Sequence, residues 1–309
     1  MEKTIQVSKR RENVKNWVIF LSFVILPLIQ FAIFYVAVNV NSILLSFKIY
    51  GLNNQVRWGL DNFSLIFTPM VEGGNLEKVL NSLRNSGVAF AVRTFIGMSF
   101  GLLFSYYVFK KMPGHNFFKV MLFLPTIVSS VVMVIVFRLV AEEAIPFIIT
   151  NDRFAPGITS NQDTRFLAVL IYNVWAGFGT QVLMYLGAMN NVSDGAIEAA
   201  KIDGANAVQE FTKVVFPGIY PTFMVFLTVN IVEFFTHQMA LHTFYGFKEL
   251  KDTKSYTLGY YMYREVALAN GNFAQLTFPA ALGILCTLVA VPITFGVRKL
   301  LFAVGPKEE

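Results

Sequence analysis

Residues 198 to 217 read EAAKIDGANAVQEFTKVVFP and lie between two apolar runs, each long enough to cross a membrane. Glu198, Lys201, Asp203, Glu210 and Lys213 interrupt the lipid-soluble part of the chain, so the stretch belongs in water at a membrane face. Its punctuation predicts local structure. Ser193 and Asp194 are N-cap candidates, Gly195 to Asp203 forms a short helix, and Gly204 supplies the left-handed residue that ends it. Isolated helices shorter than about 12–15 residues rarely persist in water, so this one needs a surface to lie on. Asn206 is expected to cap a second short helix running to Phe216, with Pro217 opening the next span.

Composition supports a bilayer as the solvent. The 309 residues are 55% hydrophobic and 14% charged, whereas ordinary soluble domains are about 45–50% apolar and about 25% charged. The 32 Phe can face lipid, while three His and a single Cys support little metal or redox chemistry. Cys286 lies in an apolar run, and one Cys permits no disulfide within the chain. The net charge of +6 comes from basic residues that flank apolar runs and form no stripe interleaved with exposed aromatics, so nucleic acid is rejected as a partner. KRRENVK (9–15) leads into an apolar run from Trp17 to Val40, longer than the about 7–15 residues of a signal-peptide core, and is read as the start of an uncleaved span.

A helix needs about 20 apolar residues to cross the hydrocarbon. Six stretches qualify, near 17–40, 87–109, 117–139, 166–189, 218–241 and 274–302. Because backbone groups in lipid must bond within their own segment, the expected fold class is an all-α integral membrane protein with six transmembrane helices. Prolines 27, 125, 279 and 292 fall inside spans and predict kinks. With the N-terminus inside, the inner segments hold 13 Lys and Arg, against 11 spread over longer outer loops. That bias places both termini, and residues 198–217, in the cytoplasm. The organisation is then a tail (1–16), a six-helix domain (17–302) with a cytoplasmic loop at about 190–217, and a second tail (303–309). The outer loops, roughly 41–84, 140–165 and 242–273, are long and polar and suit a soluble partner; the third carries KELKDTKSYTLGYYMYRE (248–265).

The loop resembles that of the permease subunits of binding-protein-dependent ABC importers. Their pattern is EAA, three residues, Gly, nine residues, Ile, one residue, Leu-Pro. It is matched by Glu198, Ala199 and Ala200, Gly204, then Val214, Phe216 and Pro217, with Val for Ile and Phe for Leu. GLDNFSLIF (59–67), NSLRNS (81–86), LFLPTIVSSVVMVIVFR (122–138) and DGA (203–205) resemble the carbohydrate-uptake branch, MalF/UgpA-like in character. The resemblance implies a type I ABC importer permease fold and a coupling helix that docks on an ATPase subunit. Glu198, Ala199, Ala200 and Asp203 would lie at that contact, and Gly204 would permit the tight turn. It further implies a second permease, most simply a heterodimeric partner, two ATP-binding subunits carrying ATP and Mg, and an extracytoplasmic sugar-binding protein. No cofactor is expected on this chain.

No Walker A signature, G-x-S-x-G or H-E-x-x-H occurs, and the His residues at 115, 237 and 242 form no metal-ligand spacing, so neither a catalytic nor a metal site is expected. Polar residues inside spans do recur on faces. Asn230, Glu233 and His237, with Phe234 beside them, recur at intervals of three and four in the fifth span; Asn173, Gly177 and Gln181 recur at four in the fourth, with Thr180 adjacent. By the resemblance, these residues are in register with a sugar pocket near mid-membrane, where Asn, Glu and His bond hydroxyls and Phe covers an apolar sugar face. Ordinary helix packing is the alternative for each. Thr126, Ser129 and Ser130 are read as packing residues, His242 as interfacial, and Arg93 as snorkelling outward. Two other readings stay open: a permease of this type for a polyamine, phosphate or amino acid, and a six-span membrane enzyme or receptor.

Overall fold

Helices fill the apolar runs because hydrocarbon offers the backbone no other hydrogen-bond partner. The computed structural model describes residues 2–51, 55–69, 71, 74–151, 157–246 and 254–306. Among these, five helices are long and apolar enough to cross a membrane: Lys15–Ser46, Leu76–Phe109, Arg165–Met189, Ala207–Thr236 and Phe273–Val304. They are the first, second, fourth, fifth and sixth spans. The helices run on through Pro27, Pro279 and Pro292.

The third span departs from expectation. In place of one helix over 117–139, His115–Ile127 and Ser130–Thr150 form a pair bent by 108°. The break is at Val128 and Ser129, whose ψ angles of 145° and 134° are extended. Pro125 has already removed one N–H from the preceding turn, and Ser129 stands as the N-cap residue of the second piece, so the sequence itself weakens the helix here. Other boundaries also move. The second span begins at Leu76 rather than 87, and the fifth ends at Thr236 rather than 241 because His237 turns extended with ψ 124°, before Met239 and Ala240 take positive φ.

Two clusters of buried side chains hold the bundle. One surrounds Tyr172, Phe244 and Tyr256 at the end away from the 190–217 loop. The other joins Leu102 and Tyr106 of the second span, Tyr185 and Met189 of the fourth, and Val215 and Ile219 of the fifth, at the opposite end. Between them the fourth span passes close to the third, where a Cβ on Gly179 would strike the Leu122 carbonyl and come 2.8 Å from Thr126 Cγ2. The first span is exposed along its apolar length and meets the rest chiefly where its C-terminal part, Val38–Ser46, packs on the sixth.

The outer segments are fastened by side-chain amides. A short antiparallel hairpin, Lys48–Tyr50 with Val56–Trp58, follows the first span outside the hydrocarbon. Asn62 donates to the carbonyls of Ser46 and Lys48, both at 2.8 Å, and holds the hairpin to the end of that span. Asn85 donates to Lys254 O at 2.7 Å and Tyr256 O at 2.8 Å, while Ser86 Oγ accepts from Leu258 N–H at 2.9 Å. The tyrosine-rich third loop is therefore drawn inward. Tyr256, Tyr260 and Tyr261 are buried, contrary to their reading as a surface for a soluble partner; residues 248–253 of that stretch lie outside the described residues. Tyr245 donates to Thr159 O at 2.9 Å beneath the Arg165 and Arg138 guanidinium groups, and burial pushes its hydroxyl up to about 12, which keeps it a neutral donor.

Asn85→Ala leaves two carbonyls without their amide partner. Each unsatisfied buried group costs about 1–3 kcal/mol. A fall in Tm of several degrees, read by thermal unfolding of the purified protein in detergent, is the expected result; an unchanged Tm would mean that the loop is held by other contacts.

Candidate coupling loop and polar cavity

The loop that decided the sequence reading folds as a capped unit. Its helix spans Asp194–Ile202, with Ser193 at the N-cap position but making no side-chain cap bond. Gly204 takes φ +78°. Ala205 N–H donates to Ala200 O at 2.9 Å and Gly204 N–H to Lys201 O at 3.1 Å, the paired bonds of a Schellman ending. Asn206 opens the next helix through a reciprocal capping box: its side-chain oxygen accepts Gln209 N–H at 2.9 Å, and its own N–H donates to Gln209 Oε1 at 2.9 Å. That helix does not stop at Phe216 as expected. It widens into a π turn over Phe211–Val215 and continues into Phe216–Thr236, since the wider turn accommodates the missing N–H of Pro217 just beyond it.

Ile197 alone of the first loop helix turns inward and is buried. Glu198, Ala199 and Asp203 are exposed, as is Gly204, and Ala200 is half-buried. Ile202 is 86% exposed and Val208 71%, so apolar side chains stand out beside the charges. The base of the loop is fixed by Glu210, one of the charges that mark the stretch in sequence, together with Lys110 and Tyr106, which no local pattern links to it. Glu210 is buried, with its carboxylate oxygens 2.8 and 2.9 Å from Lys110 Nζ and one of them 3.2 Å from the Tyr106 hydroxyl. Lys110 lies a hundred residues earlier, so no local pattern connects it to Glu210; the one hint is that each charge sits at the helix end whose dipole favours it.

A second polar cluster lies within the spans. Arg93, in a π turn of the second span, forms an ion pair with Glu233 and donates to Asn230 Oδ1 at 3.0 Å. Asn230 Nδ2 is 3.5 Å from Thr94 Oγ1. Arg93 thus turns inward to a carboxylate rather than snorkelling outward, because an ion pair inside the bundle satisfies both charges at once. Beyond Glu233, a cavity of about 390 Å³ is lined by Glu233, Thr236, His237, Gln238, His242 and Thr243. His237 is at the C-cap rather than on the helical face, with ring Nδ1 accepting from Met239 N–H at 3.1 Å. His242, expected away from the polar face, lines the same cavity because the chain turns back after Thr236. Phe234 stacks edge-on against Phe90 and Phe235. Carboxylate, imidazole, amide and hydroxyl groups thus converge on one space and can bond the hydroxyls of a polar ligand.

The fourth-span residues separate. The Asn173 amide donates to Val169 O and to Met239 O, each at 2.8 Å, and so pins the left-handed turn after the fifth span. Gln181 packs against Gly101 of the second span. Gly177 and Thr180 are exposed, and a Cβ on Gly177 would meet nothing within 4 Å.

Residues 93–303 match the family described as the binding-protein-dependent transport system inner membrane component. The probable starch degradation products transport system permease protein AmyD of Thermoanaerobacterium thermosulfurigenes is 25% identical over 232 residues, covering 74% of this chain and 77% of its own. The arabinooligosaccharides transport system permease protein AraP of Halalkalibacterium halodurans is 26% identical over 262 residues, covering 83% and 79%. In the crystal structure of a bacterial ABC transporter involved in the import of the acidic polysaccharide alginate, one chain superposes with a TM-score of 0.74 at 18% identity, over 95% of this chain and 98% of that one. The shared fold, the loop and a match across residues 93–303 agree: this chain belongs to the family of binding-protein-dependent transport system inner membrane components.

Proposed function

We propose that this chain is a permease subunit of an ATP-driven importer that passes a sugar or oligosaccharide, delivered by an extracytoplasmic binding protein, across the plasma membrane. One observation carries the proposal: a capped helix, exposing Ile202 beside Glu198, Lys201 and Asp203, stands on a buried three-span base. Apolar side chains flanked by charges suit a protein groove better than lipid or water. The ATP-binding subunits, which hold ATP and Mg, are assigned to that face, with Glu198, Ala199, Ala200 and Asp203 at the contact and Gly204 shaping it. A second permease, taken as a different polypeptide, completes the pathway.

The Lys and Arg bias puts the loop and both termini in the cytoplasm. The tails 1–16 and 303–309 then flank a six-crossing domain, 17–302. The cavity bounded by Glu233 and His237 is assigned to the outer part of the substrate path, with Asn230 and Phe234 supporting it from the fifth span and Gly177 and Thr180 facing open space from the fourth. Asn173 and Gln181 shape this region by holding neighbouring backbone and helices. Arg93 is matched by Glu233, and the described residues lining the cavity include no Lys or Arg, which favours a neutral saccharide such as those named for AmyD and AraP.

Gly204→Val places a β-branched residue at φ +78°, a strained position for any side chain with a Cβ. Co-expressed with its ATPase subunits, the wild-type chain is expected to retain them through purification and the variant to lose them. Retention of the subunits by both proteins would refute the docking role of the loop. Separately, Arg93→Leu or Glu233→Leu alone strands a charge and should lower the Tm, more so for Glu233→Leu, which leaves the less exposed Arg93 unpaired, whereas the double variant regains most of it. Uptake of maltotriose or arabinotriose into proteoliposomes holding the complete transporter should remain lost in the double variant. Full uptake by that variant would mean that the pair serves folding alone.

A further inference from the structure

We propose that Lys110 and Glu210 are positioning residues that link the coupling loop to the second span, so that motion of an ATPase docked on the loop reaches the membrane helices. The inference rests on the ATPase-docking reading above and adds how the docked motion is carried.

Slack is removed at each step along the loop. The helix Asp194–Ile202 and the helix beginning at Ala207 are separated by a turn closed by the Schellman bonds on one side and the Asn206–Gln209 capping box on the other. The first turn of the second helix carries Glu210, only 3% exposed and held bidentately by Lys110 Nζ at 2.8 and 2.9 Å. Lys110 caps the cytoplasmic end of the second span. The Tyr106 hydroxyl, one turn earlier in that span, lies 3.2 Å from the Glu210 carboxylate and 3.1 Å from Ala207 O, and its ring packs edge-on against Phe211 at 4.9 Å. The loop therefore grips the second span through a charge pair, a hydroxyl and an aromatic contact.

Arg93 is carried by that same helix and pairs with Glu233 on the fifth span at the edge of the polar cavity. A displacement of the loop thus has a continuous route, from Glu210 to Lys110, along the second span, and from Arg93 to the cavity wall. Without the pair, the Tyr106 hydroxyl and ring would be the remaining described side-chain contacts from the second span to the loop, and the charge-assisted part of the link would be lost. Charge-assisted bonds suit this role because they are directional, and burial protects them from screening by salt.

The test uses the complete transporter in nanodiscs, with Cys286→Ser as background and Thr236→Cys as a reporter on the cavity wall. The rate of reaction with a polar maleimide is read with and without ATP plus orthovanadate. The parent is expected to show a severalfold change in rate on trapping. In Glu210→Gln that change should fall below twofold while the ATPase subunits still co-purify and still hydrolyse ATP. Lys110→Met should behave alike, and Lys110→Arg, which keeps the charge, should respond as the parent does. A parent-like response in Glu210→Gln would overturn the proposal. Loss of the ATPase subunits from that variant would also overturn it, by showing that the pair serves loop folding alone. If the parent itself retains no ATPase subunit, the docking reading fails, a result distinct from either.

Discussion

A membrane interior supplies no hydrogen-bond partner, and at three places among the described residues a side-chain amide binds backbone carbonyls where the chain leaves or turns away from a span. Asn62 binds the carbonyls at the end of the first span, Asn85 those that lead into the buried tyrosines, and Asn173 the left-handed turn after the fifth span. An amide suits these positions because it donates two hydrogens without bringing a charge into a medium that would penalise it. The break after the fifth span in turn folds the chain back and places His237, Gln238 and His242 beside Glu233.

Charges obey the same rule by pairing. Arg93 with Glu233 and Lys110 with Glu210 each join two distant segments, one pair at the polar cavity and the other beneath the loop. A buried pair of this kind contributes little net stability, because desolvating both charges offsets their attraction, yet removing one partner is costly. In the role proposed above, such pairs tie helices to one another more than they decide whether the chain folds. Both pairs involve the second span, which makes that helix the common element between the loop and the cavity.

Transport adds a demand on this scaffold. A partner shifts a conformational equilibrium only by binding its states unequally, so on the docking role proposed for the loop, contact there has to be converted into a difference at the cavity. A helix as short as Asp194–Ile202 would be marginal by itself. Ile197 packed inward, the glycine-ended turn and the capping box that follows convert it into a stiff projection from the bundle.

Sequence alone determined the helical class, the place of five apolar crossings, with ends within six residues except that the second and fifth begin eleven residues earlier than expected, the loop and its Gly204 ending, and the recurrence of Asn230 and Glu233 on one helical face. These features are local: hydrophobic length, the steric freedom of glycine at positive φ, and helical periodicity are all written in consecutive residues. Tertiary structure decided what local patterns do not encode. It broke the third span at Val128 and Ser129, buried Tyr256, Tyr260 and Tyr261, turned Asn173 toward the Met239 carbonyl, and gave Arg93 and Lys110 partners more than ninety residues away in the chain. Each of these outcomes depends on which segments meet in space, and for a polar group in an apolar medium it is the partner found there that settles its role.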